Sequence, residues 1–236
     1  MQQQKILQKK YEGLTPDEKD ELSRLEESVE LEKAKPNIIG NFLSFVKYVW
    51  PEFIEGSHHK IINQKFNDLA AGKIKRLIIN MPPRHTKSEF ASYLLPAWMI
   101  GKDPKLKIIQ ATHTADLAID FGRKTKNLVD QDNYRELFST RLQEDSKAAG
   151  KWKTEQGGEY FAAGVGGAIT GRGANLLIID DPHKEQDIKK DSKSFDKAWN
   201  WYTSGPRQRL QPGGAIVVVM TRWSTKDITG QLLKAQ

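Results

Sequence analysis

Four apolar runs do most to limit what this chain can fold into. "RLIINM", "KIIQAT", "NLLIID" and "AIVVVMT" are continuous rather than alternating, and stretches of helical character separate them. An alternating strand buries one face, whereas a continuous run buries both and needs helices above and below the sheet. The expected fold class is therefore α/β, an αβα sandwich around a mostly parallel central sheet. Strands are expected at 75–81, 105–112, 159–165, 175–180 and 214–221, and helices over about 87–100, 114–129, 192–202 and from 225 onward. A further helix is expected from Ser57, closed by Gly72. Seven of the 18 glycines lie between Gly157 and Gly173, which predicts a hairpin and a loop just before "NLLIID".

Ahead of this rhythm, "LTPDEKDELSRLEESVELEKAK" carries Thr15 as N-cap, Pro16 in the first turn and Glu18 three residues after the cap. Its apolar positions Leu22, Leu25, Val29 and Leu31 form a thin stripe, so a surface helix ending before Pro36 is expected. The expected organisation is an N-terminal helical arm over 1–35 and one larger domain over 36–236.

The chain has no cysteine, which excludes disulfides, thiolate metal sites and thiol nucleophiles. No apolar run approaches the roughly 18 residues a membrane span needs, and the start lacks the apolar core of a signal peptide. Charge is unevenly spread. Residues 1–35 hold seven Lys/Arg against nine Asp/Glu, while residues 36–236 hold 30 against 21. A basic main domain attracts polyanions without regard to sequence, although many basic proteins bind none.

Three strand ends carry chemistry. "MPPRHTKS" follows the first strand and precedes a helix, as a phosphate-binding loop does. In such a loop, backbone N–H groups cradle a phosphate, a Lys reaches the outer phosphates and a Ser or Thr hydroxyl meets magnesium. Aligning Lys87-Ser88 with the last two positions puts Met81 and Thr86 where two glycines are usual. Pro82 and Pro83 donate no hydrogen bond but stiffen the turn, leaving donors from Arg84 to Ser88. Thr86 must then take up the backbone conformation that glycine supplies. The strand "LLIID" ends in Asp180-Asp181, where α/β sheets place ligands, so one carboxylate can organise magnesium while the other activates water. Taken alone, it reads more readily as a strand ending in an Asp-Asp-Pro turn. "AIVVVMTRW" delivers Thr221 and Arg222, a hydroxyl and a guanidinium, to the same edge; Thr221 is otherwise a strand cap.

Taken in order, "HHKIIN", "INMPPRHTKSEFAS", "AWMIGKDP", "GGEYFAAGVGGAITGRGANLLIIDDPHK", "WNWYTSGPRQRLQPGGAIVVVMTRW" and "KDITG" resemble the large subunit of tailed-phage terminase, the ATP-driven DNA-packaging motor. The resemblance runs from about residue 50 to the end. It implies a P-loop NTPase fold, ATP and Mg2+ as ligands, and a glycine-poor loop as a family trait. Carried over, ATP would be bound by Pro83, Arg84, His85, Thr86, Lys87 and Ser88, with magnesium on Ser88 and Asp180. Arg84 would act near the γ-phosphate, Thr221 would couple hydrolysis to movement, and Arg172 would be a finger arginine acting on a neighbouring subunit. The family mostly uses Glu as catalytic base; here the position holds Asp181, with Glu185 as the alternative. Adenine would lie near 53–64. There His58 and His59, about 100° apart on a helix, make a poor metal pair and read as packing or capping residues.

The resemblance also implies double-stranded DNA, a procapsid portal and a terminase small subunit as partners. It implies a ring on the portal built from a chain monomeric in isolation, located in the host cytoplasm with no membrane. The tracts "GRKTKN", "DIKKDSKS" and "GPRQRLQ" are candidate DNA contacts, although such tracts are more often simply solvated faces. The family's C-terminal nuclease has no room before Gln236, so no DNA cleavage is expected. Two other readings stay open: a helicase- or recombinase-like ATPase, and a basic DNA- or portal-docking module with a vestigial nucleotide site.

Overall fold

The computed structural model describes residues 13–146, 148–169, 171–184 and 193–235. Six strands form one sheet: β1 (Arg76–Asn80), β2 (Lys107–Thr112), β3 (Lys151–Lys153), β4 (Glu159–Gly164), β5 (Ala174–Asp180) and β6 (Leu210–Met220). Their order is β1-β6-β5-β2-β4-β3, parallel throughout except for the β3–β4 hairpin. The expected hairpin thus begins earlier than the glycine cluster, with β3 supplying a strand the apolar runs did not reveal. Only one residue of "KWK", Trp152, is buried, too little to stand out in sequence.

The continuous apolar runs are buried on both faces. Ile108, Leu176, Ile178, Val217 and Val219 pack against α2 (Phe42–Val49), α3 (Ser57–Ala70) and α4 (Leu95–Lys102). There Phe42 meets Phe66, Phe90 and Trp98 edge-on with ring centroids 4.9–5.6 Å apart. The opposite face, with Ile109, Leu177, Ile179, Ile216 and Val218, packs against Ala198, Trp201 and Tyr202 of α7 (Lys193–Ser204) and Ile228 of α8 (Ile228–Lys234). Each fully buried large apolar side chain contributes about 1.5–3 kcal/mol. The sandwich is therefore fixed by its centre, and its strand ends are left to chemistry.

Helix α5 (Ala115–Val129) starts at the Thr114 cap, and the short α6 (Asp132–Leu137) follows it. Past α3, Gly72 takes φ 72°, the left-handed close expected of it. The N-terminal helix departs from expectation. Thr15 and Glu18 form the capping box at its start, but α1 runs Pro16–Gly40, through Pro36. An internal proline costs a helix about 3 kcal/mol. Here Ile38 is buried in the core, Ile39 packs beside it with its carbonyl accepting from Trp98 Nε1 at 3.0 Å, and the chain turns at Asn41. These contacts offset the proline. The first half of α1 is as exposed as its thin stripe suggests, Leu25 and Val29 being more than half accessible.

Candidate phosphate-binding site

The strand order builds the site. β6 lies between β1 and β5, so the C-terminal ends that carry the "MPPRHTKS" loop, Thr221 and Asp180-Asp181 are neighbours. The register sets Asn80 beside Met220 and Asp180 beside Val219, at the row where the loop and Thr221 begin. Lys87 is buried, and its Nζ lies 2.8 Å from Asp181 Oδ2. Ser88 Oγ donates to Asp180 Oδ1 at 3.1 Å. Thr221 ties all three strands: its N–H donates to Asp181 Oδ1 at 2.8 Å, and its hydroxyl donates to the Met81 carbonyl at 3.2 Å.

The chain becomes helical at Lys87, but residues Glu89–Leu94 form a π-helix before α4 begins. Such wide turns are rare and recur at functional sites. This one carries Ser92, a fully buried serine whose hydroxyl donates to Asp180 Oδ2 at 2.7 Å. Asp180 is thus gripped on both oxygens. It is 2% exposed, and burial, with the Asp181 charge adding to it, pushes its carboxyl up to about 6 against the pull of Ser92, Ser88 and Lys87.

Backbone strain concentrates here. Among the described residues, the three non-glycine residues with positive φ are Arg84 (62°), Thr86 (58°) and Asp181 (39°). Each such residue costs on the order of 1–3 kcal/mol and persists only when its surroundings hold it. Asp181 is held by its N–H to the Val219 carbonyl at 2.9 Å and by both its carboxylate contacts. Thr86 has the glycine-like conformation that the loop was expected to need. A cleft of about 490 Å³ opens over this edge, lined by Pro83, Lys87, His113, Asp181, His183, Lys184, Thr221 and Trp223.

Other residues stand apart from this centre. Arg84 and His85 are exposed on the crest of the loop, and His85 Nδ1 lies 2.9 Å from the Pro83 carbonyl. The Arg222 guanidinium does not join the cleft lining: Nε donates to Asp227 at 2.9 Å and a terminal nitrogen to the Ser224 carbonyl at 3.1 Å. Arg172 lies near the start of β5, the sheet edge opposite the loop, paired with Glu159 and stacked 3.9 Å over the Phe161 ring. Glu185 lies outside the described residues, as does most of "DIKKDSKS". In "GRKTKN", Arg123 pairs with Asp120 and Lys124 with Glu89.

Three site neighbours escaped the sequence reading. Ser92 is a small polar residue four after Ser88 in an otherwise apolar stretch, a readable signal. His113, whose Nδ1 lies 3.3 Å from the Asp181 carbonyl, is the first residue past β2, the same strand-end position as the aspartates. His183 follows the Asp-Asp-Pro turn; burial holds it below the usual histidine range, and its Nε2 accepts the Ile228 N–H at 3.0 Å.

The donor set fits magnesium. Asp180 and the Ser88 hydroxyl are hard oxygen donors, and among the described residues no cluster of three His, Cys, Asp or Glu side chains exists to hold a metal alone. Magnesium is commonly bound by one or two carboxylates together with substrate phosphates and water. Among the described residues, no helix is long and apolar enough to cross a membrane.

No protein-family model and no curated protein sequence matches the chain. Among solved structures it is similar to the crystal structure of the HK97 bacteriophage large terminase, with a TM-score of 0.53 at 13% identity. The match covers 86% of this chain and 40% of that one, so it spans less than half the length of that protein. It has a terminase-like αβα fold, with the Lys87 loop, Thr221 and the Asp180-Asp181 pair at one edge of its sheet.

Proposed function

We propose that this chain is a magnesium-dependent ATPase domain of a viral DNA-packaging motor. The observation that carries the reading is the meeting of Lys87 with Asp181 and Ser88 with Asp180 at the ends of neighbouring strands. A buried lysine and a buried carboxylate are costly without a purpose or a partner. In this reading the backbone N–H groups from Arg84 to Ser88 face the phosphates, and Lys87 exchanges Asp181 for phosphate oxygens. Ser88 and Asp180 hold magnesium, which supplies charge neutralisation on the phosphates.

That exchange frees Asp181 Oδ2 while Thr221 N–H keeps the carboxylate oriented. Asp181 then accepts a proton from water as the water oxygen bonds to the γ-phosphorus and the bond to the ADP oxygen breaks. Thr221, bonded to both Asp181 and the start of the loop, shifts when either moves. It is the natural relay from hydrolysis to a movement that pulls DNA. Arg84 on the loop crest serves the developing γ-phosphate charge. Arg172, on the far edge, serves a neighbouring subunit of a ring rather than its own site. The basic main domain suits DNA as the cargo, and the terminase-like fold suits a portal and a small subunit as further partners in the infected host's cytoplasm.

The test is magnesium-dependent release of inorganic phosphate from ATP, with and without double-stranded DNA. Lys87→Ala and Asp181→Asn are expected to lower turnover on the order of 10²–10³-fold each. Turnover unchanged by both substitutions would sink the reading.

A further inference from the structure

A histidine outside the loop is bonded to Thr86, one of the two residues that stand where glycine is usual. His59, in the first turn of α3, is 4% exposed and enclosed by Phe53, Phe90 and His58. Its Nε2 lies 2.6 Å from the Thr86 hydroxyl, and its Nδ1 accepts the Gly56 N–H at 2.8 Å. The Thr86 hydroxyl donates its single proton to the His85 carbonyl at 2.6 Å. It must then accept from His59, which fixes His59 as the neutral tautomer with its proton on Nε2. Both ring nitrogens are therefore committed, one to the start of α3 and one to the loop.

We infer that His59 is a positioning residue for nucleotide binding: it holds Thr86 in the left-handed conformation that turns the loop's N–H groups inward. The inference rests on the nucleotide reading above. A glycine at position 86 would adopt φ 58° unaided, whereas a β-branched threonine does so only under restraint. The hydroxyl that makes threonine tolerable there is held from both sides, by His59 and by the loop's own His85 carbonyl. Burial disfavours the charged imidazole, and the neighbouring His58 and His85 act in the same direction against Glu55. The neutral tautomer that the bonds require is thus also the one the site favours.

The two bonds can be separated by side-chain length. Asn places an amide oxygen near the Nδ1 position, keeping the cap on Gly56 but not reaching Thr86; Gln reaches Thr86 but forfeits the cap. Affinity for Mg-ATP and melting temperature are measured for the full chain and for His59→Asn, His59→Gln and Lys87→Ala. His59→Asn is expected to weaken binding roughly tenfold, one buried hydrogen bond's worth, while melting near the parent. His59→Gln is expected to recover most of that loss. In a Thr86→Gly background, His59→Asn is expected to have no further effect on affinity. If His59→Asn proves unstable, Thr86→Val removes the hydroxyl at constant shape and is expected to show the same tenfold loss. The inference is overturned if Asn binds like the parent while Gln does not, which makes His59 only a helix cap, or if the Asn defect persists in the Thr86→Gly background. Binding lost in Lys87→Ala but intact in both His59→Asn and Thr86→Val overturns this inference alone. No binding by the parent chain overturns the nucleotide reading, and this inference with it.

Discussion

Two regions of this chain turn sharply with left-handed backbone, and they do it by opposite means. The β3–β4 turn and the loop after β4 use Gly157 (φ 95°) and Gly166 (φ 86°), where no side chain has to be accommodated. The loop after β1 uses Arg84 and Thr86 at φ 62° and 58°, with two prolines ahead of them. Glycine takes these angles at no steric cost but loses more chain entropy on folding; threonine is the reverse case and needs contacts to hold it. The loop has such contacts, from His59 across the layer and from Thr221 at its base. A glycine turn is flexible by default, whereas the loop is shaped by its surroundings.

The sharpest break of this comparison is at the charged centre. Asp180→Asn is expected to abolish turnover, while stabilising the ligand-free fold by ~1–3 kcal/mol, since it removes a buried carboxylate. Calorimetry set beside a phosphate-release assay checks both halves. The same residue sets a pH signature. Its pKa is raised from 3.8 to about 6, so the folded state holds a proton that the unfolded chain has released. This contribution to ligand-free stability is fully present below about pH 4 and is lost as the pH rises through about 6. Denaturant midpoints across that range should fall with pH in the parent, and less steeply in Asp180→Asn.

Smaller effects separate the two kinds of turn. Gly157→Ala is expected to cost ~1–2 kcal/mol, because a Cβ must adopt φ 95°, and to leave ATP turnover unaltered. Thr86→Gly should stay within about 1 kcal/mol of the parent, relief of strain offsetting the lost bond to His59. Equal destabilisation by the two substitutions would erase the distinction drawn between the turns. Ser92→Ala leaves one oxygen of the buried Asp180 carboxylate without its donor, and should cost about 1–3 kcal/mol of stability in a melting experiment.

Much of the fold was legible because it rests on burial. Continuous runs such as "NLLIID" and "AIVVVMT" can satisfy both faces only inside a sandwich, and all five expected strands are present. What the sequence concealed depends on distant contacts. Pro36 reads as a helix end until Ile38 and Ile39 are seen to dock on the core. β3 is three residues with one buried Trp, recognisable only beside β4. At the site, Asp180, Asp181 and Thr221 could be named in advance because each lies at or just past the end of a strand, and Lys87 and Ser88 because they close the loop between a strand and a helix. Their gathering depends on β6 inserting between β1 and β5, which no local pattern encodes. Arg222 looked available but is taken by Asp227, five residues on. His59 acts through a bond to a loop 27 residues away, which has no sequence period to read.

In the proposed mechanism Lys87 exchanges a carboxylate for a phosphate. A crystal structure with magnesium and a non-hydrolysable ATP analogue tests it most directly. The phosphates are expected inside the loop at residues 83–88, with Lys87 Nζ moved from its 2.8 Å contact with Asp181 onto a phosphate oxygen and Ser88 and Asp180 flanking the metal. An analogue bound elsewhere, or phosphates in the loop with the Lys87–Asp181 pair still closed, would contradict it.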